Sequence, residues 1–156
     1  MNLSIMNASF GDLEKILELQ RLSFQSEAEL LGNPNIPPMT QTLDDLTSEY
    51  SNGTSFFKMC LDDVIIGSVR VRENPEADKV YIGRLMIHPS YRRRGYGTML
   101  LKEVESLFPG RCYELFTSLK SAGNIRLYEK LGYHIVAQRN LGDNLVLVDM
   151  EKDLRN

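Results

Sequence analysis

Residues 82–101 read IGRLMIHPSYRRRGYGTMLL, and the punctuation within them governs the reading of the rest. An apolar run ends at His88-Pro89, where proline removes a backbone donor and disfavours helical geometry in the residue before it. Three arginines follow, then Gly95 and Gly97 one residue apart, then a stretch of helical apolar spacing. The pattern predicts a buried strand, a basic glycine turn and a helix from about Gly95 to Phe108. At such a junction the first N–H groups of the helix lack internal acceptors and the dipole is positive, so a phosphate can satisfy them. The glycines let backbone approach a ligand closely, and the arginines add forked donors.

Two familiar phosphate loops are excluded. No G-x-x-x-x-G-K-[ST] occurs anywhere in the chain, and the dinucleotide pattern G-x-G-x-x-G fails because Leu100 stands where its third glycine belongs. What remains is R-x-x-G-x-G, carried by Arg92, Gly95 and Gly97.

Outward from this turn, a first strand is expected at LSIMNAS, followed by a helix near Gly11 with Ser9 as N-cap. The segment GNPNIPPMTQ has three prolines and predicts a loop, and Thr42 with Asp45 forms a capping-box pattern opening a second helix through about Tyr50. Two strands then flank Asp62-Asp63 as a hairpin, NPEAD is a turn, and KVYIGRLMIH is the strand that enters the glycine loop. Strand CYELFTSL, helix SAGNIRLYEKLG and the strands YHIVAQR and NLVLVDMEK complete the order β-α-α-β-β-β-α-β-α-β-β. The strand-helix-strand unit at 79–119 predicts a parallel pair, with antiparallel hairpins on either side. The class is therefore α/β (α+β) with a mixed, mostly antiparallel sheet.

With 156 residues, 42% apolar and 25% charged, the chain is expected to be one soluble domain, residues 1–156. No apolar run is long enough to span a bilayer, and the first residues lack the layout of a signal peptide. Cys60 and Cys112 have neither metal-ligand spacing nor a disulfide framework, and His88 and His134 add no zinc site. A cytoplasmic location is expected, with no metal, no membrane partner and no nucleic acid, since the net charge is −3. Residues 22–57 contain no lysine or arginine but hold Glu27, Glu29, Asp44, Asp45 and Glu49. If they line a site, their field favours a cationic ligand.

The stretch 82–101 resembles the GNAT superfamily of acetyl-CoA-dependent N-acetyltransferases, whose signature is [QR]-x-x-G-x-[GA]. Alone that signature arises by chance roughly once per thousand positions, so the resemblance rests on the strand, His-Pro break, loop and helix together. AGNIRLYEKLGY resembles the family's later motif, with Asn124 and Tyr128 four apart on one helix face. The resemblance implies acetyl-CoA as donor cosubstrate and direct attack by a primary amine in a ternary complex. It puts the acidic stretch on the acceptor side, so that amine is expected on a cationic small molecule or peptide. It implies a splayed central strand pair, with the Leu85 N–H facing the thioester carbonyl, Met86 and Ile87 along the pantetheine, and Arg92, Arg93, Arg94, Gly95, Tyr96, Gly97 and Thr98 around the pyrophosphate. Asn124 and Tyr128 are implied to reach the cofactor, with Tyr128 the general acid.

One departure from the family pattern stands out. Where many relatives carry a glutamate as general base, this chain has Tyr81, a poor base at neutral pH. No base is assigned; Glu73, acting through water, is one option. His88 and His134 are read as structural. The missing base motivates a rival reading, an acyl-CoA-binding sensor without catalysis. Neither the acceptor nor the oligomeric state is fixed by the sequence, and a homodimer is compatible with it.

Overall fold

A computed structural model describes residues 2–156. Seven strands form one sheet in the order β1-β2-β3-β4-β5-β7-β6. They are β1 (Leu3–Asn7), β2 (Ser55–Leu61), β3 (Val64–Asn74), β4 (Lys79–Ile87), β5 (Cys112–Ser118), β6 (His134–Asn140) and β7 (Val146–Asp153). Every neighbouring pair is antiparallel except β4 and β5. The helices are α1 (Leu13–Ser23), α2 (Gln25–Leu31), α3 (Pro37–Thr40), α4 (Leu43–Ser51), α5 (Tyr96–Leu107) and α6 (Ala122–Lys130).

Alternation along the strands fills both faces. Phe56 packs with Leu13, Ile16, Leu17 and Leu46 beneath α1 and α4, while its neighbour Phe57 joins Leu100, Leu101 and Val104 of α5 on the other face. The β2–β3 hairpin turns on Asp62 and Asp63, both at positive φ (49° and 69°), as a two-residue turn matching strand twist requires. At α4 the Asp45 N–H donates to the Thr42 hydroxyl at 3.2 Å and the Thr42 N–H to the Asp45 carboxylate at 2.9 Å.

Two features position the site. Pairing between β4 and β5 covers only Lys79–Tyr81 against Cys112–Glu114, after which the parallel strands part. Opposite β3, the register of β4 slips by one residue between Gly83 and Met86, with Arg84 at φ 49°. The extra residue inverts alternation. Val80 and Ile82 lie in the core under α5, whereas Met86, also even-numbered, lies under α1.

The mixed sheet and its single parallel pair match the expectation; the helical segment before β2 is more divided. Four helices stand where two were expected. A single 3₁₀ turn at Phe10–Asp12 precedes α1, and the chain breaks at Phe24 before α2. Buried positions 20, 23, 28 and 31 keep nearly helical spacing through that break, so periodicity carries no signal of it. Pro37 and Pro38, read as loop, occupy the first turn of α3, where a missing N–H costs nothing.

Candidate active site

The glycine turn is built by three conformations in series. Arg92 is extended, Arg93 takes φ 64°, and Gly95 takes φ 80° before α5 begins. Ahead of the turn, the Tyr91 N–H donates to the His88 carbonyl at 2.8 Å and His88 Nδ1 accepts from the Ser90 N–H at 3.0 Å. The first helical bond into the turn is Met99 N–H to Gly95 O at 3.1 Å. The N–H groups of Tyr96, Gly97 and Thr98 are therefore left for a ligand.

These residues line a groove of about 800 Å³. Leu85, Met86, Ile87, Arg92, Arg93, Gly95, Tyr96, Gly97, Thr98, Asn124 and Tyr128, all expected at the cofactor, border it together. Arg94 does not; its guanidinium lies 5.3 Å from the Tyr91 ring centroid. Arg92 faces the groove but donates to the Ser23 carbonyl at 2.5 Å and the Ser26 hydroxyl at 3.1 Å. It straps the loop to the α1–α2 junction. The three arginines thus occupy three environments, and Arg93 is the one that borders the groove without a hydrogen-bond partner among the described residues.

A second cavity, about 270 Å³, lies beyond the parted strands. Phe24, Glu27, Leu85, Asn124 and Tyr128 line both spaces, so groove and cavity meet at the β4 bulge and the inner face of α6. Asn124 Nδ2 donates to the Thr117 hydroxyl at 3.3 Å. The Glu27 carboxylate accepts from the Ser121 hydroxyl at 2.7 Å, tying α2 to the start of α6. Tyr128 is buried, and its phenol is held well above the ordinary range, first by burial and then by the Glu27 charge.

Tyr81 also faces this cavity. Its ring stacks on Phe116 at 6.2 Å and covers Gly83, where a Cβ would lie 2.9 Å from Tyr81 Cε2. Burial raises its phenol, outweighing the lowering by Arg84 and Arg139, so it remains a neutral hydrogen-bond donor rather than a base. Glu73 is not brought to the site. It pairs with Arg111 at 3.0 Å and borders neither space. Of the acidic stretch, only Glu27 arrives. Asp44 and Asp45 occupy the exposed first turn of α4, Glu29 accepts from Gln25, and Glu49 is bound by Arg70 and Gln41. Sequence reasoning passed over Phe24, Arg84 and Arg139. Arg84 carried a signal, being a charge inside an apolar strand.

A family model described as "Acetyltransferase (GNAT) family" matches residues 13–133. The chain belongs to this family. No curated protein sequence matches this acetyltransferase. Among solved structures it is similar to the PaiA N-acetyltransferase of Thermoplasma acidophilum in complex with coenzyme A (22% identity, 98% of this chain and 99% of that one, TM-score 0.80). It is also similar to YncA of Salmonella typhimurium, a putative acetyltransferase with its cofactor acetyl-CoA (20%, 100% and 96%, TM-score 0.76). A third is the spermidine N-acetyltransferase of Vibrio cholerae with CoA and spermine (17%, 97% and 95%, TM-score 0.75). At these identities the likeness concerns the fold.

Proposed function

We propose that the protein, acting as one domain, transfers the acetyl group of acetyl-CoA to an amine by direct attack in a ternary complex. The observation that supports this best is the meeting of the two spaces at Leu85 and Tyr128. A donor in the groove and an acceptor in the cavity come face to face there, which converts a bimolecular encounter into a positioned one. CoA and acetyl-CoA in the similar structures favour the same donor.

In the reaction the amine nitrogen attacks the thioester carbon, the C–S bond breaks, and the nitrogen sheds a proton as the thiolate gains one. The backbone at Leu85, freed from regular pairing by the bulge, offers an N–H to the developing oxyanion. Tyr128 gives its phenolic proton to the thiolate and recovers one through water from the nitrogen. Donation from a phenol near 10 to a thiolate near 8.5 is uphill by roughly 2 kcal/mol in water. Burial and the Glu27 charge hold the Tyr128 phenol higher still, so donation depends on the thiolate being desolvated beside it, because burial also raises a thiol that becomes an anion.

The test pairs calorimetric CoA binding with thiol release from acetyl-CoA over a panel of amines. The expected result is CoA binding, turnover with at least one amine, and a kcat about a hundredfold lower in Tyr128→Phe, with CoA affinity retained. The sensor reading, which draws on Tyr81 in the base position, predicts tight CoA binding, no turnover and no effect of that substitution. Absence of CoA binding would remove both readings.

A further inference from the structure

The acceptor cavity is unusual in how its charges are partnered. Three charged side chains border it: Glu27, Arg84 and Arg139. Arg139 is already satisfied, its Nε and Nη2 clasping both Asp149 oxygens at 2.7–3.1 Å while its guanidinium lies over the Phe116 ring. Arg84 is not. Its Nε donates to the Gln41 amide oxygen at 3.3 Å, and its two terminal nitrogens make no hydrogen bond or ion pair with any described residue.

Beneath the cavity the shortage of anions continues. The Gln41 oxygen also receives Arg70 Nη1 at 3.1 Å and Gln20 Nε2 at 2.9 Å, so one neutral acceptor serves two guanidiniums. The nearest carboxylate, Glu49, sits 3.4 Å from Arg70. Arg84 is thus a half-buried cation aimed at a ligand space, with burial opposing its charge. A planar fork with two free terminal nitrogens is matched by a carboxylate. Glu27 is the converse, a carboxylate without an ion pair among the described residues, placed where cavity and groove meet.

We infer that the acceptor is a zwitterionic amine of amino-acid type, its carboxylate held by Arg84, its ammonium by Glu27, and its apolar body by the cavity wall. This rests on the acetyl-transfer reading for the donor side. The wall supports an apolar body, since Leu31, Ile36, Leu115, Leu145 and Leu147 face the space. At about 270 Å³ the cavity lies just below the usual ligand range of about 300–1,000 Å³, which suits one small molecule. A polycation is disfavoured, because one carboxylate is present and Arg84 repels a second positive charge. The acceptor's ammonium, oriented by Glu27, gives up one proton to solvent water before attack, which leaves the neutral nitrogen that the reaction needs.

The experiment titrates CoA-saturated protein with L-leucine, L-methionine and L-phenylalanine, each beside its carboxamide, and with spermidine. Binding is read by calorimetry, so turnover is not required. At least one acid is expected to bind roughly ten- to a hundredfold tighter than its amide, as the loss of a charge-assisted hydrogen bond implies. Arg84→Gln removes that preference and leaves CoA affinity unchanged; Arg84→Lys, which keeps the charge but not the fork, falls between. If Arg84→Gln no longer binds CoA, the acid-against-amide comparison in the unsubstituted protein decides alone. Amides or spermidine binding as tightly as the acids, no binding by any acid, or an unchanged preference in a CoA-competent Arg84→Gln would overturn the inference. Thiol release with the same compounds is scored separately. Selective binding without turnover keeps this inference and removes acetyl transfer, while turnover of amines regardless of the carboxylate does the reverse.

Discussion

Gly95 and Gly97 look equivalent in the sequence but meet different demands. Gly95 stands at φ 80°, and a Cβ placed there would have nothing within 4 Å, whereas Gly97 is helical and its Cβ would lie 3.8 Å from Leu127 Cδ2. The first requirement is conformational and the second concerns space facing the groove. Gly95→Ala should therefore cost roughly 1–2 kcal/mol of stability through the left-handed backbone alone, read as a lower urea midpoint. Gly97→Ala should leave CoA affinity intact and Gly97→Val should weaken it at least about tenfold, since only the branched side chain projects into ligand space and away from the N–H groups. Equal CoA affinity in Gly97→Val would show that the backbone there does not approach the cofactor. The arginines teach the same lesson, because their charge was the visible feature while Arg92 serves mainly as a strap to Ser23 and Ser26.

At the scale of elements, β4 decides where the chemistry can occur. Its one-residue slip, with Arg84 at φ 49°, turns Leu85 toward the groove and Arg84 toward the cavity. Gly83 permits this by letting the Tyr81 ring lie against the backbone. In Gly83→Ala the new methyl meets that ring at 2.9 Å, and the ring, stacked on Phe116, must move. The expected cost is about 1–3 kcal/mol, with a raised acceptor KM and an unchanged CoA Kd; a KM that stayed put would detach Tyr81 from acceptor binding. The slip itself was illegible in KVYIGRLMI, where apolar residues occupy both parities and no alternation exists to be broken. By contrast the Asp62-Asp63 hairpin, the Thr42 capping box and the parallel pair were legible, each resting on local turn chemistry or short-range order. Much of the groove's border was named through the family resemblance, because residues 92–98 and 124–128 each form a short run, whereas Phe24 and Ser26 at the α1–α2 junction were not.

The smaller cavity belongs to the whole molecule, and that is why the sequence hid it. Glu27, Arg84, Phe116, Arg139 and Leu145 come from α2, β4, β5, β6 and the loop before β7, and no local pattern joins them. The acidic stretch misled for a related reason: linear charge density does not say which carboxylates are spent elsewhere, and Glu49 is spent on Arg70. Long-range packing also sets the response of the molecule to alkali. Cys112 is fully buried on β5, its thiol donates to Glu151 at 3.0 Å, and burial together with that carboxylate pushes it up to about 12. In the unfolded chain the same thiol ionises near 8.5. Its protonated form is thus favoured by folding, so the contribution is fully present below about pH 8.5 and is lost as pH rises toward 12. Cys112→Ser keeps a donor for Glu151 but removes the titration. Under reducing conditions, urea unfolding at pH 8 and pH 10 should show the unsubstituted protein losing about 1–2 kcal/mol more than Cys112→Ser over that interval. Cys60, Tyr81, Tyr113, Tyr128 and Tyr133 are also raised by burial, but they titrate alike in both proteins and cancel in the difference. Parallel pH profiles for the two would mean that the Cys112 thiol reaches solvent in the folded state, at the end of β5 that pairs with Lys79 of β4.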